Sequence, residues 1–252
     1  MRLFFLPPEQ TGEAEPVLGE KDARHIHTVL RLGPGEIITV FDGTGLQYEA
    51  RIISVGRRQV RIALLRQLAA AAESPLQIVL AQGYLKDKKM DQLIPPLTEL
   101  GVTRLVPFMA RRSVPNPDAK RSLARRQRWQ RISQEAVKQC RRNRPLSVDG
   151  VVSFEEALAL SRTCDLKFFF WESGNGNALS DSLAQSRPGS VCVMIGPEGG
   201  FEAEEQYAAA RAGFLTVRMG PRILRAETAA VVACTLVQYV FGDIGQNVLD
   251  NR

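Results

Sequence analysis

Short apolar runs alternate with helical stretches from residue 76 onward, and this alternation constrains the fold more than any other feature. The runs have the continuous apolar character of strands that are buried on both faces of a sheet. They occupy residues 76–81, 103–109, 166–171, 191–195 and 215–219, with helical patterns at 87–100, 119–143, 154–160 and 203–212. The alternation predicts an α/β fold with a mostly parallel sheet and flanking helices. Pro95-Pro96 predicts a kink or a break in the first of these helices.

Residues 1–70 follow a different pattern, that of a small β-rich module. Strand-like segments at 36–41, 47–55 and 59–65 are separated by tight turns, and one helical stretch covers residues 21–32. Short strands with tight turns predict a compact β-barrel. We therefore predict two domains, residues 1–70 and 75–252, on either side of an alanine-rich boundary at residues 67–74.

The composition is that of an ordinary soluble globular protein, with 44% hydrophobic and 24% charged residues. The apolar run at residues 3–6 is too short for a secretory signal, and the segment 228–242 is shorter than the ~20 residues that span a bilayer. Four widely spaced cysteines and two histidines predict neither disulfides nor a metal site. These features favour a reduced, cytoplasmic protein.

Positive charge is concentrated in one block of the chain. The net charge is +6, but residues 104–145 alone hold thirteen basic and two acidic side chains. Such a block can displace counterions from a polyphosphate, and arginine also stacks on unpaired bases, which favours RNA. The alternative is a solvated helix face. The block residues that we predict to contact RNA are Arg111, Arg112, Arg125, Arg126, Arg128, Arg141, Arg142 and Arg144.

Two turns that contain glycine and proline follow the last two strands of the pattern. The first covers residues 196–200, and the second runs from Gly220-Pro221 to Glu227-Thr228. Together they can present free backbone groups to one ligand at the carboxyl edge of a parallel sheet, with Ile223-Leu224 suited to an adenine ring. Either turn alone is weak evidence, and Glu227 has an alternative role as a favourable charge at a helix N-terminus.

Motifs of other chemistries are missing from the sequence. It contains no G-x-x-x-x-G-K-[ST] phosphate loop and no G-x-S-x-G nucleophile elbow. Cys140 lies at a basic helix end, where a thiolate would be stabilised. An ordinary packed cysteine is the favoured interpretation of this residue.

The last helical stretch, residues 227–241, is apolar nearly all round. A helix without a polar face must be covered on every side. We predict that a homodimer interface covers this C-terminal helix, and the alternative is burial inside one chain.

The two glycine turns resemble the knotted-domain signatures of the SPOUT methyltransferase superfamily. The chain as a whole resembles the RsmE-type family, which methylates N3 of a uridine in bacterial small-subunit ribosomal RNA (16S rRNA). His25-Ile26, Gly33-Pro34-Gly35 and Phe41-Asp42-Gly43 resemble the amino-terminal PUA-like domain of that family. The segments that resemble its catalytic domain are Lys89-Met90, residues 99–102, Gln139-Cys140, residues 142–144, 195–200, 220–228 and 241–243.

The resemblance implies a PUA-like β-barrel followed by a SPOUT domain that is tied in a trefoil knot, binds S-adenosyl-L-methionine and works as a homodimer. The implied cofactor-binding residues are Trp171, Glu172, Ile195, Gly196, Glu198, Gly199, Gly200, Met219, Gly220, Ile223, Leu224, Arg225, Glu227 and Thr228. Two residues depart from the family pattern, since Arg111 and Lys138 each replace a usual acid. Both changes are expected to add positive charge to the RNA face.

The implied reaction is attack by uridine N3 on a sulfonium methyl group, which requires a cation near the uracil because N3 must lose a proton. Arg225 and Arg142 are the catalytic candidates, and neither Glu198 nor Glu227 is assigned as a general base. The target base must be unpaired, within either naked ribosomal RNA or an assembled small ribosomal subunit. Arg2, Arg24 and Arg31 of the β-module are expected to join the arginine block on the RNA.

Two alternatives remain open for the activity. One is a non-catalytic RNA-binding assembly factor that has kept the fold. The other is a related methyltransferase that acts on a ribose 2′-hydroxyl or on another base.

Overall fold

The computed structural model describes residues 2–69, 73–86, 88–114, 119–172 and 187–245. Contacts divide the chain into two compact units. The first comprises the residues up to Glu73 together with Gln134–Pro145, and the second comprises Ser74–Ser133 and the residues from Leu146 onward. In the described part of the chain, no helix is both long and apolar enough to cross a membrane.

The first unit contains a curled, mixed five-stranded sheet in the order β1-β3-β4-β5-β2. Its strands are β1 (Leu3–Phe5), β2 (Val17–Leu18), β3 (Ile37–Phe41), β4 (Gln47–Val55) and β5 (Val60–Gln67). β1 pairs with β3 in parallel, and the other pairs are antiparallel. The three longer strands match the predicted ones, whereas β1 and β2 were not predicted because they are only two or three residues long.

The predicted helix at 21–32 is in fact two short segments. An α-helix, α1 (Glu20–Arg24), continues as a wider π-helical turn over His25–Leu30. Arg31 ends it with a φ of 53°, and its N–H donates to the Ile26 carbonyl. Ala23 and Ile26 pack into the core of this unit with Phe4, Ile38 and Ile62.

The second unit contains a parallel sheet in the order β12-β10-β11-β6-β7-β8, and β9 also pairs with β7. The five predicted strands are β6 (Gln77–Gly83), β7 (Arg104–Met109), β10 (Leu166–Phe170), β11 (Ser190–Ile195) and β12 (Leu215–Val217). Two-residue strands β8 (Ser147–Val148) and β9 (Val152–Ser153) complete it. The parallel sheet confirms the predicted α/β class.

Helices cover both faces of this sheet, as the alternation predicts. They are α2 (Lys89–Glu99), α3 (Ala119–Cys140), α4 (Phe154–Leu160), α5 (Ala203–Arg211) and α6 (Ala226–Phe241). One core layer contains side chains of α2, α6 and Trp129 against Ile78 and Leu80. The opposite layer contains Phe154 and Phe201 against Ala81. The sheet is therefore buried on both faces, which explains the continuous apolar character of its strands.

The predicted break at Pro95-Pro96 does not occur, because α2 continues through both prolines. They lie in the last two turns of the helix, and the buried side chains of Leu93, Ile94 and Leu97 anchor it on both sides of them. The Thr98 hydroxyl donates to the Ile94 carbonyl at 2.8 Å. Packing of the apolar face thus outweighs the hydrogen bonds that the prolines remove.

Candidate functional site

A cavity of about 440 Å³ lies at the carboxyl ends of β10, β11 and β12. This is the edge at which open parallel sheets bind ligands, because the strand-to-helix turns leave backbone groups free there. Phe170 ends β10 and is followed by Trp171 and Glu172, and both glycine turns form walls of the cavity. Lys89 at the start of α2 and Ala226 and Ala229 of α6 complete the lining.

The first glycine turn, residues 196–200, is held by the end of β6. The Gln82 amide donates from Nε2 to the carbonyls of Gly83 and Gly196, at 3.0 Å in both cases, and Gln82 is fully buried. A Cβ atom on Gly83 would lie 2.4 Å from the Pro197 nitrogen. The backbone of β6 therefore approaches this turn as closely as only glycine permits.

The same turn closes on itself and contacts two further elements. The Gly200 N–H donates to the Pro197 carbonyl at 2.9 Å, and Gly200 has a φ of 69°. A Cβ on Gly200 would lie 2.7 Å from a carboxylate oxygen of Glu172. The Arg112 guanidinium donates to the Gly199 carbonyl at 3.3 Å. The first turn is thus fixed on several sides before any ligand binds.

The part of the second glycine turn that precedes α6, residues 220–225, is open by comparison. The main-chain groups of residues 220–224 form no hydrogen bond with any other residue that the structure describes. Gly220 has a φ of 86° with open space around it, and Ile223 is 84% exposed. Free N–H and C=O groups beside an exposed apolar side chain can hold the edge and the face of a heteroaromatic ring.

Charged side chains lie at and next to the cavity. The Lys89 ammonium donates to Glu198 Oε1 at 2.9 Å and lies 3.7 Å from Glu227 Oε2. Hydrogen bonding to Glu198 raises the pKa of Lys89 above its ordinary value, against the effect of burial. Burial raises the pKa of Glu198, but hydrogen bonds from Lys89 and from the main chain outweigh it and leave that pKa below its ordinary value. Both groups are therefore charged near neutral pH.

Most of the predicted cofactor residues meet at this cavity. Those among its lining residues are Trp171, Glu172, Ile195, Gly196, Glu198, Gly200, Met219, Gly220, Ile223, Leu224 and Arg225. Gly199 packs instead against Arg112, and Glu227 and Thr228 belong to the first turn of α6 outside the lining. The lining residues that the sequence prediction missed are Lys89, Phe170, Pro197, Phe201, Arg218, Pro221, Arg222, Ala226 and Ala229.

The two catalytic candidates lie in different surroundings. Arg225 lines the cavity, where it precedes α6 as its N-cap residue in an extended conformation. Arg142 belongs to the first unit, is only 7% exposed and bonds to the Glu73 carboxylate at 2.9 and 2.8 Å. The main-chain N–H groups of Asn143 and Arg144 donate to the same carboxylate at 3.3 Å. Arg142 is therefore engaged in holding the segment that follows α3.

Several arginines of the predicted RNA set have partners within their own unit. Arg125 donates to the Tyr84 hydroxyl, Arg126 to the Val148 carbonyl at 2.9 Å, and Arg128 to Asp91 at 2.8 Å. The other members with partners are Arg2 with Glu36, Arg24 with Glu20, Arg111 with Glu202, Arg112 with Gly199 and Arg144 with Thr44. Arg31 and Arg141 are exposed and form no ion pair with another described residue.

The two departures from the family pattern differ in their surroundings. Arg111 is an exposed side chain beside Glu202 and Glu204, at 3.0 and 3.7 Å. The side chain of Lys138 is only 19% exposed and pairs with Asp22 at 2.9 Å and with Glu135 at 3.2 Å. Lys138 is thus engaged by two carboxylates of its own unit, and the expectation that it contributes charge to an RNA face stays a prediction.

Cys140, whose thiolate a basic helix end would stabilise, is the last residue of α3 and lies outside the cavity lining. Its thiol is partly buried and donates to the Val137 carbonyl at 3.9 Å. Cys164, Cys192 and Cys234 are buried free thiols, and burial raises the pKa of Cys234 to about 12. The cavity therefore draws its chemistry from glycine turns, apolar side chains and ion pairs.

Comparison with known proteins agrees with this architecture. Residues 72–238 match the model of an RNA methyltransferase domain, and residues 18–65 match an RNA methyltransferase PUA domain. The fold and the site thus define an RNA methyltransferase with an amino-terminal PUA domain.

Similarity to individual proteins extends over nearly the whole chain. Ribosomal RNA small subunit methyltransferase E of Bacillus subtilis is 32% identical over 95% of this chain and 96% of its own length. The Neisseria gonorrhoeae protein of the same name, solved with S-adenosyl methionine bound, is 32% identical with a TM-score of 0.85 over 97% of this chain and 99% of its own. A Legionella pneumophila methyltransferase solved with its cofactor SAM is 30% identical with a TM-score of 0.87, over 96% and 99% of the two chains. The chain belongs to the ribosomal RNA small subunit methyltransferase E family.

Proposed function

We propose that this protein transfers a methyl group from S-adenosyl-L-methionine to N3 of a uridine in the 16S ribosomal RNA of the small subunit. The observation that carries the proposal is the cavity between the two glycine turns, at the carboxyl edge of the parallel sheet. Family membership supplies the reaction class, and the cavity supplies a place for a nucleoside cofactor.

The residues present fit that cofactor. The volume of about 440 Å³ is within the range of small-molecule sites. Ile195, Ile223 and Leu224 provide apolar surface, and the main chain of residues 220–224 provides donors and acceptors that no other described residue uses. Glu172 and Glu198 supply carboxylates at the lining, which suit a ligand with cationic groups. When bound, the cofactor supplies an electrophilic methyl group on a positively charged sulfur.

Arg225 is our proposed catalytic cation. Uridine N3 is a poor nucleophile until its proton leaves, so a positive charge near the uracil oxygens stabilises the anion that attacks. Arg225 lines the cavity and forms no ion pair with another described residue, so its charge is available. Arg142 is the less favoured candidate, because Glu73 already holds its guanidinium.

We propose that the RNA binds to both of the domains predicted from the sequence, residues 1–70 and 75–252. Exposed arginines such as Arg31 and Arg141 are available for phosphates, whereas Arg125 and Arg128 would have to exchange a protein partner for RNA. The uridine must be unpaired, because N3 lies on its Watson–Crick edge. The trefoil knot that the resemblance implies, and the cytoplasmic location that the cysteine pattern favours, stay predictions.

We also propose a homodimer through the C-terminal helix. One face of α6 packs against the sheet through Ala230, Ala233 and Val237. Leu236 and Tyr239 on the same helix are 37% and 66% exposed. A second copy of the chain would cover these apolar side chains, which favours the dimer over burial within one chain.

The experiment that tests the activity is transfer of labelled methyl from S-adenosyl-L-methionine to small ribosomal subunits that lack the modification, with naked 16S ribosomal RNA in parallel. We expect label in 3-methyluridine, and the better substrate identifies the assembly stage at which the enzyme acts. Label on a ribose 2′-hydroxyl or on another base would support the related methyltransferase. RNA binding without cofactor binding or label would support the assembly factor.

A further inference from the structure

We propose that Lys89 is a positioning residue, which ties the first glycine turn to α6, the helix that follows the second turn, by bridging Glu198 and Glu227. The inference rests on the proposed function, because the ligand that it concerns is S-adenosyl-L-methionine. Lys89 was not among the residues that the sequence assigned to the site.

The bridge is defined by two short distances. Lys89 Nζ lies 2.9 Å from Oε1 of Glu198, which belongs to the first glycine turn. It lies 3.7 Å from Oε2 of Glu227, in the first turn of the helix that follows the second glycine turn. Among the residues that the structure describes, no other side chain forms ion pairs with both of these carboxylates. Lys89 itself lines the cavity, so the bridge closes one side of it.

The position of Lys89 in its own helix argues that these carboxylates determine its location. Lys89 is the first residue of α2, where the helix dipole disfavours a positive charge. The acid in that first turn, Asp91, already accepts hydrogen bonds from Trp129 and Arg128 at 2.9 and 2.8 Å. Glu198 compensates instead, since it also accepts from the Lys86 N–H at 3.2 Å. The ion pairs with Glu198 and Glu227 therefore explain a lysine at this position, and helix stability does not.

Charge at the bridge is balanced by groups from three elements. Glu198, Glu227 and Arg225 all act on Lys89, with the two carboxylates favouring its charged form and Arg225 opposing it. Oε2 of Glu227 is buried and forms no hydrogen bond with any described residue. Removal of the ammonium would leave this oxygen without its ion partner and Glu198 without its main side-chain donor. The contact that ties the first turn to α6 would then be lost.

The test compares Lys89→Met with Lys88→Met. Lys88 is exposed, precedes Lys89 and is outside the cavity lining, so its substitution removes the same charge from the same helix end. We expect Lys89→Met to weaken S-adenosyl-L-methionine binding about tenfold in calorimetric titration, because a charge-assisted hydrogen bond is lost. Lys88→Met should bind as the wild type does. Lys89→Arg, which keeps the charge, should recover most of the affinity.

The pH dependence separates positioning from a general effect on folding. In the wild type, the hydrogen bond from Lys89 helps to hold the pKa of Glu198 below its ordinary value. Glu198 therefore stays ionised between about pH 5 and pH 7, and cofactor affinity should change little over that range. In Lys89→Met the pKa of Glu198 rises, so its carboxylate gains a proton as the pH falls. Cofactor affinity of the variant should therefore decrease toward pH 5. A substitution that merely loosens the fold would lower affinity equally at all these pH values.

The proposal is overturned if Lys89→Met binds the cofactor with wild-type affinity and the same flat pH profile. If Lys89→Met is too unstable to titrate, Glu227→Gln tests the same bridge with Lys89 in place, and unchanged binding in that variant also overturns it. Failure of the proposed function is a separate result. In that case the wild-type protein itself shows neither cofactor binding nor methyl transfer.

Discussion

The two glycine turns that form the cavity differ in how firmly the rest of the protein holds them. The first, residues 196–200, accepts hydrogen bonds from Gln82, Lys86, Lys89 and Arg112. In the second, the main chain of residues 220–224 contacts no hydrogen-bonding partner among the described residues. One wall of the site is built in advance, and the other keeps its polar groups free for a ligand.

This difference assigns the two turns different contributions to binding. A wall that is already rigid loses little conformational entropy when the ligand binds, so its main contribution is to fix the position of the ligand. A wall with free polar groups gains its hydrogen bonds only in the complex, so it provides binding energy and becomes more ordered. Substitutions in the first should therefore affect stability and binding together, and substitutions in the second should leave stability unchanged.

The largest effect is expected from Gly83→Ala, which acts on the rigid wall. The new Cβ would lie 2.4 Å from the Pro197 nitrogen and 2.8 Å from the Gly196 carbonyl carbon, both of them backbone atoms. We expect the free energy of unfolding to fall by about 3 kcal/mol and cofactor binding to be lost. Gly150→Ala is the matched control, since a Cβ there meets nothing within 4 Å. Equal melting temperatures for the two variants would contradict the close approach.

Arg225→Ala should have the next largest effect, this time on turnover. Arg225 lies at the end of the open wall and lines the cavity. If its guanidinium stabilises the uracil anion, kcat should fall about 100-fold while the melting temperature stays unchanged. Arg211→Ala, at the exposed end of α5, is the control for loss of an arginine. Full turnover in Arg225→Ala would show that another group performs this role.

The sequence predicted the rigid and open walls as turns but not the difference between them. The patterns of apolar runs placed β6, β10, β11 and β12, and the glycines placed both turns, because these signals are local. The contacts that make the first turn rigid come from residues more than 80 positions away, such as Gln82 and Arg112. Gln82 in particular is a polar residue at the end of an apolar strand, with no local signal of its partner.

Contacts between residues that are far apart in the sequence could likewise not be predicted from local patterns. Residues 134–145 group with the first unit, although residues 134–140 are the end of α3, a helix that begins in the second. There the Glu73 carboxylate accepts hydrogen bonds from Arg142, Asn143 and Arg144, and the sequence pattern predicts none of them. For the same reason the sequence predicts one charged surface for the arginine block, whereas several of its members have protein partners.

Gln82→Met should produce an intermediate effect and sharpen the role of the rigid wall. The substitution keeps the size of the side chain but removes both donors, leaving the buried carbonyls of Gly83 and Gly196 without this partner. We expect a loss of about 2 kcal/mol in the free energy of unfolding and about tenfold weaker cofactor binding. Gln77→Met changes an exposed glutamine of the same strand and should alter neither quantity. If Gln82→Met matched that control, the turn would hold its position without the Gln82 amide.

The smallest effect is expected from Ile223→Ala in the open wall, and it should appear in binding alone. Because Ile223 is 84% exposed, its truncation should change the free energy of unfolding by less than about 0.5 kcal/mol. Loss of its apolar contact with the cofactor should weaken binding about fivefold. Leu123→Ala, another exposed apolar side chain in the second unit, should leave binding unchanged.

Hydrogen exchange measured with and without cofactor extends this prediction to the backbone. The amides of residues 220, 222, 223 and 224 should gain protection on binding, and those of the first turn should change less, because that turn is held in the free protein. Equal gains in both turns would mean that the first turn is also mobile before binding. The hydrogen bonds from Gln82 and Lys89 would then become stable only after the ligand binds.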